Sequence, residues 1–405
     1  MNQAQSAIVK SVQQALMSLL NGTPARLLDQ NGQCLDDELK ELCETTNHFI
    51  EKFSEASDFL SSLSKGLLEI EPPRRNFLIS PFKRLHASLR HLTWQTKQVA
   101  MGDLSQRVDF LGGFSDAFNS MIDSLREKRE IELSLVQANT EIMDSLRYAR
   151  TIQTAFLPNQ QEMASNVGDY FIIWEPKDLI GGDIYKYETV PEGFLLSVID
   201  CTGHGVPGAI MTMISGASLD RAVEKVGYKD PALLLTHLNR LVKSSLNQHH
   251  KETSSDDGLD IGICLVNKLE RKLTFAGARI GLWCCREGDL YEVPPDRQSV
   301  GYKNSKLNFS YVNRTVAIDD NTIFYICTDG ILHQTGGPRR LPFGKKRFKR
   351  LILDNCQKPF RDQMRDIQEA IETYRGDEPQ LDDITLVGFN PFSVPGGQGS
   401  GIIRA

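Results

Sequence analysis

The sequence predicts an α+β fold in which an all-α region precedes a β-rich domain. Before residue 100 glycines are few, and apolar residues recur every three or four positions, as in amphipathic helices. From about residue 168 the chain shows short apolar runs bounded by Gly, Asp, Asn or Pro, which are typical of strands. Because these strands gather mostly into hairpins with helices between the groups, they indicate an α+β domain rather than alternating βαβ units.

Length and charge exclude several classes of protein. The 405 residues allow two or three domains, and the net charge of −6 argues against a nucleic-acid partner. No apolar run predicts a transmembrane segment, and the N-terminus is too polar for a signal peptide. The eight cysteines lack metal-ligand or disulfide spacing, so buried, reduced thiols and a cytoplasmic location are expected.

The first part of the chain predicts helices joined by recognisable breaks. Residues 35–70 have helical apolar periodicity, and "EPPRR" at 71–75 ends it because proline cannot continue a helix. A second helix ends at the connector "MGDLSQRVDFLGGF". This connector, followed by "FSDAFNSMIDSLRE", resembles a HAMP module over about residues 80–127. HAMP modules usually follow a membrane helix, so the resemblance implies only a parallel helical relay here.

A heptad seam follows the connector. Its positions advance by alternating steps of four and three, with three polar residues among them. The seam predicts a homodimer through a coiled coil, and the alternative is a single helix packed on its own domain. The seam positions are Phe114, Phe118, Met121, Leu125, Lys128, Glu132, Leu135, Asn139, Ile142, Leu146 and Ala149.

Acidic residues lie at the ends of several predicted strands. Asp200 ends "FLLSVID", Asp329 ends "IFYICTD", Asp183 follows two glycines, and Asp382 with Asp383 precedes "ITLVGF". A single strand-end aspartate is commonly a turn residue. Four such positions predict carboxylates that converge at one sheet edge, repel one another and attract a hard divalent cation.

The order of these motifs separates two chemistries. Gly-Gly-Asp also occurs in the GGDEF signature of diguanylate cyclases, but there the metal aspartate and the Gly-His segment come first. Here "GGDIY", "VIDCTGHGVPGA", "ICTDGI" and "LDDITLV" follow in that order. This order resembles the metal-dependent PPM-type Ser/Thr protein phosphatases, closest to their bacterial SpoIIE-like branch, over about residues 150–390. "LRYARTIQTAFLPN" also resembles the regulatory helix that precedes the domain in that branch.

The resemblance implies a two-layer antiparallel β-sandwich flanked by helices, with two Mn²⁺ or Mg²⁺ ions. It implies that Asp200 bridges both ions and that the Cys201 carbonyl is a backbone ligand. Asp329 and Asp382 would hold one ion and Asp183 the other, with Asp383 the weaker choice of its pair. The implied domains are a helical regulatory region (1–78), a HAMP-like and coiled-coil linker with a switch helix (79–160), the phosphatase domain (161–390) and a disordered tail (391–405).

Two features of the better-known members have no clear counterpart: an N-terminal phosphate-binding arginine and a histidine directly after Asp-Gly. Lys177 is a candidate for phosphate binding, and the alternative is a surface lysine. His204 is a candidate to protonate the leaving alkoxide, and the alternative is a turn histidine. Asp260 either supports the site from a neighbouring strand or is structural.

The resemblance implies a phosphatase that acts on a phosphorylated STAS-domain regulatory protein in a partner-switching pathway. The N-terminal helices would gate it, through a helix whose apolar face includes Ile152, Phe156 and Leu157. The alternatives are a non-catalytic phosphoprotein-binding scaffold or a phosphatase with a target outside sigma-factor control. Substrate docking is expected at 291–315 and at 336–350, where the basic run "GGPRRLPFGKKRFKR" predicts either a docking loop or a neutral, solvated one.

Overall fold

The computed structural model describes residues 3–28, 37–248 and 255–393. It contains two compact units, Met1–Ala138 and Asn139–Ala405. The tail predicted to be disordered, 391–405, lies outside the described residues from position 394 onward. Among the helices of the described residues, none combines the length and apolar character needed to cross a membrane.

The first unit is helical where it is described. Its elements are α1 (Gln3–Leu20), α2 (Asp37–Ser64), a 3₁₀ turn (Phe77–Ile79), α3 (Ser80–Ala100) and the first part of α4 (Gly113–Ala155). The prolines of "EPPRR" lie between α2 and the 3₁₀ turn, as expected for residues that cannot continue a helix. Asn76 begins the 3₁₀ turn, because its side-chain oxygen accepts from the backbone N–H of Leu78 at 3.1 Å.

Side-chain amides hold the connector between α3 and α4. Asn119 accepts from the backbone N–H of Val108 at 2.9 Å and donates to the carbonyl of the same residue at 2.7 Å. Gln95 donates to the carbonyl of Arg107 at 2.7 Å. Beside these bonds Val108, Phe118 and Ile122 form a small buried cluster. The glycine- and aspartate-rich connector is therefore a packed segment with specific backbone partners.

The second unit contains two five-stranded sheets, and all of their strand pairs are antiparallel. This confirms the predicted two-layer sandwich. One sheet has the order β1-β12-β9-β6-β7 and comprises β1 (Asp169–Glu175), β12 (Ile384–Asn390), β9 (Ile323–Cys327), β6 (Leu282–Arg286) and β7 (Asp289–Val293). The other has the order β2-β3-β4-β5-β8 and comprises β2 (Asp183–Val190), β3 (Gly193–Cys201), β4 (Leu259–Asn267), β5 (Lys272–Ala278) and β8 (Arg314–Ala317).

The core lies between the sheets, and helices cover both outer faces. On β1, Ile172 and Trp174 point into the shared core, while Phe171 and Ile173 point to the opposite face. Strands buried on both faces read as continuous apolar runs. The helices α6 (Gly205–Val226) and α7 (Pro231–Ser245) cover one sheet, and α9 (Gly344–Asn355) and α10 (Phe360–Arg375) cover the other. The remaining helix before the sandwich is α5 (Gln160–Asn166).

Short elements connect β9 to α9. They are α8 (Gly330–His333), β10 (Thr335–Gly336) and β11 (Leu341–Pro342), and the two strands form a hairpin. The prediction that the basic segment is a loop is therefore wrong in part, since α9 begins at Gly344. Phe348 and Ile352 are buried one turn apart on α9, and their packing against the sheet stabilises a helix that the run of charges conceals.

Candidate metal centre and phosphoester site

Three aspartates lie in one row across the second sheet. Asp183 on β2 is opposite Asp200 on β3, and Asp200 is opposite Asp260 on β4. Directly opposite residues of antiparallel strands share one face, with Cβ atoms about 4.5–5.5 Å apart. The register therefore brings together Asp183 and Asp200, which the sequence separates by an apolar run. It adds Asp260, whose buried Oδ1 has no hydrogen-bond partner among the described residues.

Two threonines join Asp183 to the other sheet. Asp183 is only 2% exposed, and its Oδ2 accepts from the hydroxyls of Thr328 and Thr385, each at 2.8 Å. Thr328 directly precedes Asp329, and Thr385 follows the Asp382–Asp383 pair. The strand-end acids of β9 and β12 therefore lie at the same end of the sandwich as Asp183. The sequence analysis missed both threonines, although Thr328 directly precedes Asp329 and Thr385 follows Asp383 by two residues.

Asp383 closes the Gly-Gly-Asp turn. Its two carboxylate oxygens accept from the backbone N–H groups of Lys177, at 2.7 Å, and Gly182, at 2.6 Å. A Cβ at Gly181 would lie 2.5 Å from this carboxylate, so only glycine fits there. With both oxygens of Asp383 engaged in holding the turn, Asp382 is the better metal-ligand candidate of the pair.

The carboxylates raise one another's pKa. Burial, and then the charge of Asp383, raises the pKa of Asp183 well above its usual range. Burial, followed by the charges of Asp183 and Asp329, does the same for the pKa of Asp200. Burial also raises the pKa of Asp329 and of Asp383. A divalent cation would relieve the cost of ionising these groups together.

The donor chemistry fits a hard cation, although the side chains do not enclose one. Within the described ranges, no group of three or more His, Cys, Asp or Glu side chains is gathered closely enough to hold an ion. Mg²⁺ usually keeps several waters and takes one or two protein carboxylates, so an open set of oxygen donors suits it. The orphaned, buried oxygen of Asp260 supports the same fit.

Cys201 is a candidate ligand through its backbone carbonyl, because its thiol is buried. Burial raises the pKa of the thiol far above its usual value, and the Sγ lies 3.4 Å from the hydroxyl of Ser215. The Cys201 N–H donates to the Gly182 carbonyl at 2.9 Å, and its own carbonyl oxygen would lie 2.9 Å from a Cβ at Gly182. The carbonyl proposed as a ligand therefore faces the Gly-Gly-Asp turn.

Lys177 and His204, which are distant in sequence, meet at this turn. The Lys177 Nζ is 3.0 Å from His204 Nε2, and His204 Nδ1 is 2.6 Å from Oδ2 of Asp178. An ammonium only donates and a carboxylate only accepts, so this arrangement is that of a neutral imidazole with its proton on Nδ1. His204 is 47% exposed, so a substrate can reach the ring. Asp178 was missed, and its only sequence signal is its position beside Lys177.

A second histidine lies beside Asp329. His333 Nδ1 is 3.2 Å from Asp329 Oδ2, one helical turn away along α8. Asp329 also begins α8 as its N-cap residue, without a side-chain capping bond. Its carboxylate therefore contacts His333 and does not cap the helix. The sequence analysis did not single out His333, because a four-residue helix leaves no periodic pattern.

The last turns of α4 contact the Gly-Gly-Asp turn through one buried amide. Gln153 is fully buried, and its Nε2 donates to the Gly181 carbonyl at 2.6 Å and to the Thr212 hydroxyl at 3.2 Å. The sequence analysis predicted an apolar face of this helix from Ile152, Phe156 and Leu157. Leu157 packs against the core, and Ile152 and Phe156 are exposed.

Comparisons with known proteins agree on the β-rich domain. The family profile described as Stage II sporulation protein E (SpoIIE) matches residues 191–390. The chain is similar to the solved SiaA-PP2C domain of Pseudomonas aeruginosa, at 36% identity and a TM-score of 0.56, over 62% of this chain and 97% of that one. No match to a curated protein was found.

Two further solved structures have lower similarity. The PP2C phosphatase domain with a regulatory-domain fragment of SpoIIE from Bacillus subtilis has 16% identity and a TM-score of 0.44, over 55% of this chain and 62% of that one. The RsbU and RsbW domains of a Mycobacterium tuberculosis protein have 18% identity and a TM-score of 0.43, over 55% of this chain and 59% of that one.

Proposed function

Since the chain belongs to the SpoIIE-like branch of the PPM (PP2C-type) Ser/Thr protein phosphatases, we propose that it dephosphorylates a STAS-type regulatory protein in a bacterial partner-switching pathway. The observation that carries the catalytic part of this proposal is the register that places Asp183 opposite Asp200, at the end of the sandwich where Asp329 and Asp382 also lie. The STAS substrate comes from the resemblance to the SpoIIE-like branch.

We assign the metal centre to the strand-end oxygens. Asp183, Asp200, Asp329, Asp382 and the Cys201 carbonyl would hold two Mg²⁺ or Mn²⁺ ions. When bound, such ions supply Lewis-acid stabilisation of the phosphoryl charge and a water of lowered pKa. Thr328 and Thr385 orient the Asp183 carboxylate through their hydroxyls, and Asp383 keeps the Gly-Gly-Asp turn closed.

The cluster beside the turn supplies the remaining groups that hydrolysis needs. The Lys177 ammonium binds a phosphoryl oxygen as its counter-charge. When Lys177 binds the phosphoryl oxygen instead of His204, Nε2 is free to take up a proton from solvent, and the resulting imidazolium delivers that proton to the leaving seryl or threonyl oxygen, so that no alkoxide has to leave unprotonated. Asp178 accepts from Nδ1–H, which orients the ring and stabilises the imidazolium that carries the proton.

Gating is assigned to the end of α4. Gln153 bonds the carbonyl and the N–H of Gly181, which stands two residues before Asp183. A movement of α4 would therefore reach the turn that positions a proposed metal ligand. This coupling needs an element with two arrangements that both regions bias, and α4 is the proposed element.

Dimerisation is assigned to the heptad seam of α4. Large apolar side chains of the seam are exposed along the helix, with Leu135 68% and Ile142 59% exposed. Apolar residues at seam positions are buried when a second helix packs against them. A second copy of this chain is the proposed partner.

The activity is tested with the full chain on p-nitrophenyl phosphate and on a STAS-domain protein phosphorylated at serine. We expect Mn²⁺- or Mg²⁺-dependent phosphate release that chelator abolishes and that Asp200→Asn loses. The matched control, Asp377→Asn, removes an exposed carboxylate that is not among the proposed ligands and should retain full activity. Hydrolysis of p-nitrophenyl phosphate without any release from the STAS protein would direct the search to targets outside sigma-factor control.

A further inference from the structure

We propose that Lys346, Lys349 and Arg350 form a docking face for an acidic segment of the phosphoprotein substrate, an inference that rests on the proposed function. These three cations belong to α9, and their spacing of three and four residues places them on one side of the helix. The buried residues Phe348 and Ile352 lie on the opposite side. The cations therefore face away from the core.

Three of the other four cations of the basic run have partners within the fold, and the fourth, Arg339, is exposed between β10 and β11. Arg340 pairs with Glu378 at 2.7 Å, and Lys345 pairs with Glu292 at 2.8 Å. The Arg347 guanidinium lies 5.0 Å from the centre of the Tyr374 ring and donates to two backbone carbonyls. These three side chains are therefore partly neutralised by groups of the same unit.

The three proposed docking cations have no comparable partners. Over the described ranges, Lys346 and Lys349 form no ion pair, and Arg350 has only one exposed contact, at 3.7 Å, with Asp354. Exposed pairs of this kind contribute about 0–1 kcal/mol. Three neighbouring positive charges on a chain of net charge −6 form a local feature that an acidic partner would recognise.

Hydrogen bonds connect this face to the rim of the phosphoester site. Gln334 follows α8, whose N-cap residue is Asp329, and the Gln334 carbonyl accepts from the N–H of Phe343 at the start of α9. Its side-chain oxygen accepts from the N–H of Leu381, the residue before Asp382, at 3.2 Å. Gln334 is 1% exposed, so these bonds form a fixed junction. At about 1.5 Å per residue, Arg350 lies roughly 9 Å along α9 from that junction.

A substrate whose phosphoserine reaches Asp329 and Asp382 would therefore bring its neighbouring residues to α9. Acidic residues on that segment would gain attraction that increases the association rate and decreases with salt. A neutral segment would gain nothing. The face thus selects for acidic flanking sequence, while Lys177 and the ions that the strand-end carboxylates would hold bind the phosphate.

The test compares the full-length wild type with a triple charge reversal, Lys346→Glu with Lys349→Glu and Arg350→Glu. A matched control, Arg221→Glu with Lys225→Glu and Arg361→Glu, changes net charge equally at exposed positions elsewhere. A milder triple change to Gln guards against a folding defect. The probes are p-nitrophenyl phosphate and two phosphoserine peptides of equal length, one with acidic and one with neutral flanks.

We expect the triple reversal to lower kcat/KM on the acidic peptide about tenfold, with a smaller loss for the Gln variant. Activity on p-nitrophenyl phosphate and on the neutral peptide should not change, and high salt should remove the wild-type preference for acidic flanks. Equal rates of wild type and reversal variant on the acidic peptide would overturn the inference.

Two other results also decide the matter. Binding of the wild type to vesicles containing phosphatidylglycerol, without a preference for the acidic peptide, would replace a protein partner with a lipid surface and overturn the inference. No metal-dependent hydrolysis of p-nitrophenyl phosphate by the wild type would contradict the proposed phosphatase function itself. The small substrate thus separates failure of the site from failure of the docking face.

Discussion

Gln153 exchanges two hydrogen bonds with Gly181, donating to its carbonyl at 2.6 Å and accepting from its N–H at 3.3 Å. The bonds are buried, and they connect the end of a long helix to the turn that carries Asp183. One side chain of the helix therefore contacts the backbone of the turn that leads to a proposed metal ligand. This contact makes the proposed gating accessible to mutation.

Gln153→Ala should lower the free energy of unfolding by about 1–3 kcal/mol, because buried groups of Gly181 and Thr212 lose a partner. If the contact transmits gating, the Mn²⁺ concentration for half-maximal activity should rise as well. Thermal unfolding and metal titration of activity measure the two effects. Thr151→Ala, on an exposed part of the same helix, is the control. A stability loss with an unchanged metal titration would make Gln153 a purely structural clamp.

Asp200→Asn should stabilise the metal-free chain at neutral pH. The pKa of Asp200 is raised in the folded state, so the folded chain keeps a proton that the unfolded chain releases near pH 4. The wild-type free energy of unfolding therefore falls as pH rises above about 4, until the raised pKa is passed. The Asp200→Asn variant should not show this part of the decrease in the free energy of unfolding. Urea unfolding in chelator at about pH 5 and about pH 8 measures it.

Added Mn²⁺ should reverse the order of stability between wild type and Asp200→Asn, because only the wild type retains the carboxylate proposed to bind the ions. Asp377→Asn should follow the wild type in both conditions. Asp200 would be wrongly assigned if Mn²⁺ stabilised its Asn variant as much as it stabilised the wild type.

Asp178→Asn should impair the proton donor without removing it. We expect kcat to fall about 10- to 100-fold on phenyl phosphate or phosphoserine, whose leaving groups need protonation. The loss should be much smaller on p-nitrophenyl phosphate, whose leaving group departs without a proton. His204→Gln should show the same pattern, and the double variant should lose little more than either single one. Equal losses on both substrates would indicate a general structural role for Asp178.

Leu135→Asp should dissociate the proposed dimer, because it places a charge in the heptad seam. Leu133→Asp is a close control, since Leu133 is 62% and Leu135 is 68% exposed, but Leu133 lies off the seam. Light scattering should show monomers for the first variant and dimers for the second. A wild type that is monomeric at every accessible concentration would refute the coiled coil.

The acidic residues at strand ends were predictable because the sequence pattern that marks a strand end is local. Asp200 and Asp329 each end an apolar run, and a run of that kind followed by an acid marks a strand end with little help from the rest of the chain. The order of four such motifs indicated the family, and the comparisons with known proteins confirm it. The charge run at 336–350 was misleading because its lysines and arginines hid the four-residue spacing of Phe348 and Ile352.

The sequence by itself determined which residues stand at strand ends, the fold class and the family. Only the tertiary structure decided which side chains meet, because strand register and sheet packing join residues that are far apart along the chain. Thr328 and Thr385 donate hydrogen bonds to Asp183, from which they are separated by 145 and 202 positions in the sequence. Asp178 and His204 are hydrogen-bonded and 26 positions apart. No periodicity or fixed spacing in the sequence predicts these contacts, because they depend on how the two sheets pack over one core.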